Sequence, residues 1–242
     1  MLSPAVARLF LAVTLCVTSL GAGAHDQHGR RQSAGTHVGP STGYAFALPE
    51  PGSYRLPPIK AAAGGAVLDH YGRQHDLMDL LQGRITVLAF MYTQCGDVCP
   101  TATLQMSLLQ DLAAKEKRLA KQVHLVSMSF DPDHDTPGVM AEHAAHWRSG
   151  EAGAPEWHFL TAPDHPGLAP VLAAYDQAVG AKLGRDKTGG PLHHIFRAFL
   201  IDPSGQIRNI YSLDFLDPDL VLNDIKTLII DLEQGDQGRS RK

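Results

Sequence analysis

The sequence predicts an α/β domain in which a sheet with parallel strands is crossed over by helices and closed by a hairpin and a last helix. Two observations predict it. Between Ile85 and Val179, short apolar runs alternate three times with segments of helical periodicity. Further on, Asp202-Pro-Ser-Gly205 separates two more strand-like runs, with Pro second and Gly fourth as a type I turn prefers.

Each element has its own reason. Ile85–Tyr92 is a continuous apolar run, the mark of a strand buried on both faces. Pro100 opens a helical pattern that reaches Ala120, because proline suits the first helical position. A strand over Val123–Phe130 follows, then a helix from Pro137 to Arg148, a strand over Trp157–Thr161 and a helix over Gly167–Val179. Parallel strands joined through helices imply right-handed crossovers. The turn at Asp202 is flanked by strands Ile195–Ile201 and Gln206–Tyr211. In the last helix, Pro218–Glu233, the residues Leu220, Val221, Ile225, Leu228, Ile229 and Leu232 recur at helical spacing and should face the sheet.

The chain has 242 residues, of which 1–24 read as a signal peptide: Arg8, an apolar stretch from Leu9 to Leu20, and Gly-Ala-Gly-Ala24 before an expected cut. The apolar core falls short of the roughly 20 residues of a membrane span, so membrane association is expected only if the leader stays uncut. Residues 25–53 are rich in Gly, Ser, Pro and His and read as a flexible tail, 54–234 as the globular domain and 235–242 as a polar C-terminal tail. Export to the periplasm, or to the periplasmic face of the inner membrane, is the expectation. Loss of Arg8 takes the formal charge from −4 to −5, which offers no basic footprint for nucleic acid.

Of the three cysteines, Cys16 lies in the leader, which leaves Cys95 and Cys99 in Met91-Tyr-Thr-Gln-Cys-Gly-Asp-Val-Cys-Pro100. A strand hands over to a helix there. Pro100 at the first helical position makes Cys99 the expected N-cap, where the helix dipole lowers a thiol pKa, with Cys95 in the loop and more accessible. For an exported pair, a plain structural disulfide and a working site weigh about equally. Spacing of three rather than two residues leaves room for an ion, and two thiolates are soft ligands that select Cu(I). A structural zinc would want four protein ligands, so a third ligand must come from elsewhere in the fold.

Thirteen histidines compete for that place. His143 and His146 sit three apart on a helix whose exposed face explains them more simply. His25, His28 and His37 lie in the tail. His193 and His194 follow the flexible Lys187-Thr-Gly-Gly-Pro191 and immediately precede a strand, so a side chain there projects from the end of the sheet, where sites of β/α proteins gather. Periodicity does not choose between the two neighbours.

Three blocks together resemble the Sco/SenC family of exported thioredoxin-like copper proteins: Phe90–Pro100; Val126-Ser-Met-Ser-Phe-Asp-Pro-Asp-His-Asp-Thr-Pro137; and His194-Ile-Phe-Arg-Ala-Phe-Leu-Ile-Asp-Pro-Ser-Gly205. The resemblance spans roughly Tyr54 to Glu233. It implies a thioredoxin-like fold with a central mixed sheet flanked by helices, and copper held by Cys95, Cys99 and His194. Such a set suits Cu(I), Cu(II) needing an added water or further ligand, and acid should weaken binding as the imidazole and thiols take up protons. The resemblance also implies an acceptor, the cytochrome c oxidase subunit with the dinuclear copper site. The rival is a thiol-disulfide oxidoreductase, with Cys95 attacking and Cys99 resolving, that keeps the acceptor's cysteines reduced. His193 stands where the family often has an acidic residue and could compete as a ligand. In the second block, Asp135 or Thr136 is expected to cap the helix opened by Pro137.

Overall fold

The computed structural model describes residues 47–184 and 187–240, with side chains described to residue 235. The leader, Cys16 and the tail histidines lie outside the described residues. In chain order the strands are β1 (Lys60–Ala61), β2 (Ala66–Asp69), β3 (Gln74–Asp76), β4 (Ile85–Met91), β5 (Val123–Ser129), β6 (Glu156–Thr161), β7 (Val179–Ala181), β8 (Leu192–His194), β9 (Ala198–Ile201) and β10 (Gln206–Tyr211). The helices are α1 (Leu77–Leu81), α2 (Val98–Ala114), α3 (Lys117–Gln122), α4 (Pro137–Trp147), α5 (His165–Ala174) and α6 (Pro218–Ser240).

Eight strands form one mixed sheet in the order β1-β10-β9-β4-β5-β6-β2-β3, and β7 with β8 forms a separate pair. The β4, β5 and β6 strands are parallel, as continuous apolar runs linked through helices require, while β9 returns antiparallel beside β4. All seven residues of β4 and all seven of β5 are buried, so the centre of the sheet is covered on both faces. At the hairpin, Gly205 donates its amide to the Asp202 carbonyl at 2.8 Å and has φ of +80°, a conformation that favours glycine. The Asp202 carboxylate accepts the Ser204 and Gln206 amides at 2.9 and 3.0 Å. Among the described residues no helix is long and apolar enough to cross a membrane.

Several boundaries differ from those predicted. The expected helix Pro100–Ala120 is two helices, because the Lys115 and Glu116 amides turn back to the Leu112 and Ala113 carbonyls and Glu116 leaves the helical region with ψ of 87°. No Gly or Pro marks that break. The helix expected at Gly167 begins at His165, where Asp164 accepts the Gly167 amide at 2.7 Å, and it ends before Asp176, whose φ is +53°. The strand expected from Ile195 starts at Ala198, and Leu192–His194 instead pairs with Val179–Ala181. The last helix runs beyond Glu233 to Ser240. Short strands β1 to β3 and helix α1 fall in a stretch for which periodicity assigned nothing.

Candidate metal centre

Sheet register delivers the site. Ala198 pairs with Ala89 across antiparallel β9 and β4, so the residues before β9 run alongside the residues after β4. His194 approaches the loop that carries Cys95 in this way. Sulfur atoms of Cys95 and Cys99 and a ring nitrogen of His194 all lie within 4.8 Å of one another, and Cys99 Sγ is 3.6 Å from His194 Nε2. Among the described residues no other group of three His, Cys, Asp or Glu converges in this manner. Both cysteines are free thiols.

The loop corrects the expected capping. The helix α2 starts at Val98 with Asp97 at its N-cap, so Cys99 lies inside the first turn rather than at the cap. Its backbone N–H donates to Cys95 Sγ at 3.4 Å. The helix terminus therefore serves Cys95, whose thiol is lowered from near 9 to about 4. The Cys99 thiol donating to it is the main cause; burial opposes, and His194 and the Asp97 and Cys99 amides assist. Cys99 is pushed up instead, by sharing its proton with Cys95 and by burial. Accessibility is also closer than expected, at 7% for Cys95 and 2% for Cys99.

His194 is half-buried with its ring edge-on to Phe130, centroids 4.6 Å apart. Its Nδ1 is buried and has no hydrogen-bond partner. His193 takes the opposite face of the strand, as neighbours in a strand must, and its ring covers Gly180, where an added Cβ would lie 2.8 Å from the imidazole. It is thereby removed from the competition for the ligand position. His143 packs on Phe159 and His146 on Trp147, at centroid distances of 5.7 and 5.2 Å, and neither joins the dithiol.

The Asp131–Pro137 block does something the sequence did not reveal. Thr136, not Asp135, caps α4. Asp135 is fully buried and accepts the Thr93 amide at 3.0 Å together with the Thr93 and Ser129 hydroxyls. It thus pins the start of the cysteine loop to the end of β5. Partners 42 residues apart leave no local signal of such a contact.

Residues 66–230 match the SCO1/SenC family. The chain belongs to the SCO1/SenC family. This SCO1/SenC protein is 25% identical to the SCO1 protein homolog of Bacillus subtilis (strain 168) over 152 residues, 62% of this chain and 74% of that one. Its fold is similar to that of Bradyrhizobium japonicum ScoI, solved with copper bound, at a TM-score of 0.57 and 24% identity, covering 69% of this chain and 99% of the other. It is likewise similar to BsSco, a member of the Sco family of cytochrome c oxidase assembly proteins in which a disulfide switch was identified. There the TM-score is 0.56 at 22% identity, covering 72% and 98% of the two chains. The resemblance read from the three sequence blocks and the mixed, thioredoxin-like sheet both stand, and the Cys95, Cys99 and His194 cluster fits a copper site.

Proposed function

We propose that this chain is an exported copper metallochaperone that binds copper through Cys95, Cys99 and His194 and delivers it to a respiratory oxidase copper site. The observation that carries the reading is the convergence of two sulfurs and one imidazole nitrogen within 4.8 Å, drawn from two separate parts of the chain. A structural disulfide would need no imidazole there. The S···N separation of 3.6 Å also matches the span of two ligands about 2.3 and 2.0 Å from a common ion at near-tetrahedral or trigonal angles. Two thiolates and one neutral nitrogen form a soft, low-coordinate set that favours Cu(I) over the harder ions.

Delivery follows from the same donor set. Copper held by three ligands accepts a fourth, so an acceptor thiolate adds to the ion before a protein ligand leaves, and the cargo is never released to water. The oxidase subunit with the dinuclear copper site is the acceptor, supported by the family and by the description of BsSco as an oxidase assembly protein. The periplasmic location rests on the leader sequence.

A second reading has its own support in the ionised Cys95. As a reductase, Cys95 thiolate attacks an acceptor disulfide and expels one acceptor thiolate. Cys99 then gives up its proton, attacks Cys95 and frees the second acceptor sulfur. The acceptor gains two electrons, one proton from Cys99 and a second from water, and this chain leaves as the Cys95–Cys99 disulfide. The two readings part at His194, which a carrier needs and a reductase does not.

The test is competition of the reduced chain, His25 to Lys242, for Cu(I) against a coloured chelator. One ion per chain is expected, with Cys95→Ser abolishing tight binding and His194→Ala, which removes a ligand outright, weakening it by at least the roughly tenfold that loss of an outer-shell partner costs. Binding indifferent to His194→Ala, with the dithiol still reducing a model disulfide, replaces the carrier with the reductase.

A further inference from the structure

The metal centre has two walls, which meet at the ligands through the 3.6 Å contact of Cys99 Sγ with His194 Nε2. Cys95 belongs to the loop leaving β4, whose turn is closed where the Cys95 amide donates to the Tyr92 carbonyl at 3.3 Å. His194 belongs to β8, which pairs with β7 and not with the eight-stranded sheet. Metal-binding histidines are usually oriented by a hydrogen bond to the second ring nitrogen, and here Nδ1 is buried without one. Packing on Phe130 constrains the ring. The reach of His194 toward the dithiol is therefore set by where its strand sits.

Tyr92 touches both walls. Its carbonyl accepts the Cys95 amide, and its hydroxyl donates to the carbonyl of Leu192, two residues before His194, at 2.9 Å. The carbonyl of Gly189 lies 3.3 Å from the same hydroxyl, so the phenol oxygen sits between a carbonyl of the segment that leads into β8 and the carbonyl of the strand's first residue. Gly190 makes room for it: a Cβ there would lie 2.4 Å from the Tyr92 hydroxyl, and the residue has φ of +105°. The Tyr92 ring is 1% exposed and packs against Phe130 at 5.1 Å, the ring that also meets His194. Phenylalanine would fill the same space and lose only the hydroxyl. The Gly96 amide also donates to Gly189 at 3.2 Å, but that contact stops short of β8.

We infer that the Tyr92 hydroxyl is a positioning group for copper: by tying Leu192 to the loop that carries the dithiol, it holds His194 within ligand reach of Cys95 and Cys99. The inference rests on the ligand set proposed above. A tyrosine whose role was merely to fill the core would act equally on any metal-binding state, whereas one that places His194 acts only while His194 is present.

The experiment is a double-mutant cycle of Tyr92→Phe and His194→Ala on the reduced chain, His25 to Lys242, read by Cu(I) competition and by amide hydrogen exchange of the metal-free protein. Tyr92→Phe should weaken Cu(I) binding about fivefold, the worth of one neutral hydrogen bond, and by less than twofold when His194 is already alanine. In the metal-free protein it should speed exchange at the amides of β7 and β8 about fivefold while leaving β4 and β5 unchanged. Equal losses in both backgrounds, or no loss in either, overturn the inference. If His194→Ala alone leaves affinity intact, the ligand reading fails, and unchanged exchange in β7 and β8 would then separately overturn the tie itself.

Discussion

Two thiols four residues apart end with opposite tendencies to ionise, chiefly because the Cys99 thiol donates to Cys95 Sγ, with the Cys99 backbone N–H assisting. Because α2 begins at Val98, the Cys99 amide is one of the unpaired donors of the first turn and points at Cys95 Sγ. Cys95 titrates at about 4 instead of near 9, and Cys99 is pushed the other way. The depressed Cys95 value stabilises the reduced fold fully above about pH 9, and that contribution is lost as pH falls through about 4. The raised Cys99 value costs stability only above its ordinary pKa. Ultraviolet absorbance of thiolate in the reduced protein should therefore fall by one group per chain around pH 4, and Cys95→Ser should remove that step; a single step near pH 9 contradicts the assignment. The cysteine pair and Pro100 were legible in the sequence. Which sulfur carries the charge was not, since it depends on how the two thiols and His194 meet in the folded loop, and on a helix start two residues earlier than proline alone suggests.

At the scale of elements, the site depends on contacts between strand ends. Asp135 joins the end of β5 to Thr93 at the end of β4 through buried hydrogen bonds. Asp135→Ala strands the Thr93 amide and two hydroxyls in a dry environment, and should cost about 3 kcal/mol in denaturant unfolding of the metal-free protein. A cost under about 1 kcal/mol would show that Asp135 is not a structural tie. The long strands and helices were legible because β4, β5 and α6 carry clear apolar periods. The β8 strand was not, because three residues give no period and its partner Val179–Ala181 reads from sequence as the end of a helix. His194 was recognisable by its place in a family pattern. Its separation from His193 became physical only through strand alternation and the missing Cβ of Gly180.

For the whole molecule, topology is what brings the candidate copper ligands together from distant parts of the chain. Parallel β4 and β5 place the cysteine loop and the Asp135 block at one end of the sheet, and antiparallel β9 starts from that same end, so the residues just before it lie there. A swap of direction in β9 would send His194 to the far end. The alternating strand and helix signals in the sequence predicted the sheet and the turn at Asp202 predicted the β9–β10 hairpin, while the antiparallel pairing of β9 with β4 has no local signal. The central claim, that Cys95, Cys99 and His194 together hold copper, is tested most directly by X-ray absorption of the Cu(I)-loaded chain beside His194→Ala. Two sulfur neighbours and one nitrogen neighbour are expected, with the nitrogen lost in the variant; a spectrum with sulfur alone, or one unchanged by His194→Ala, would contradict it.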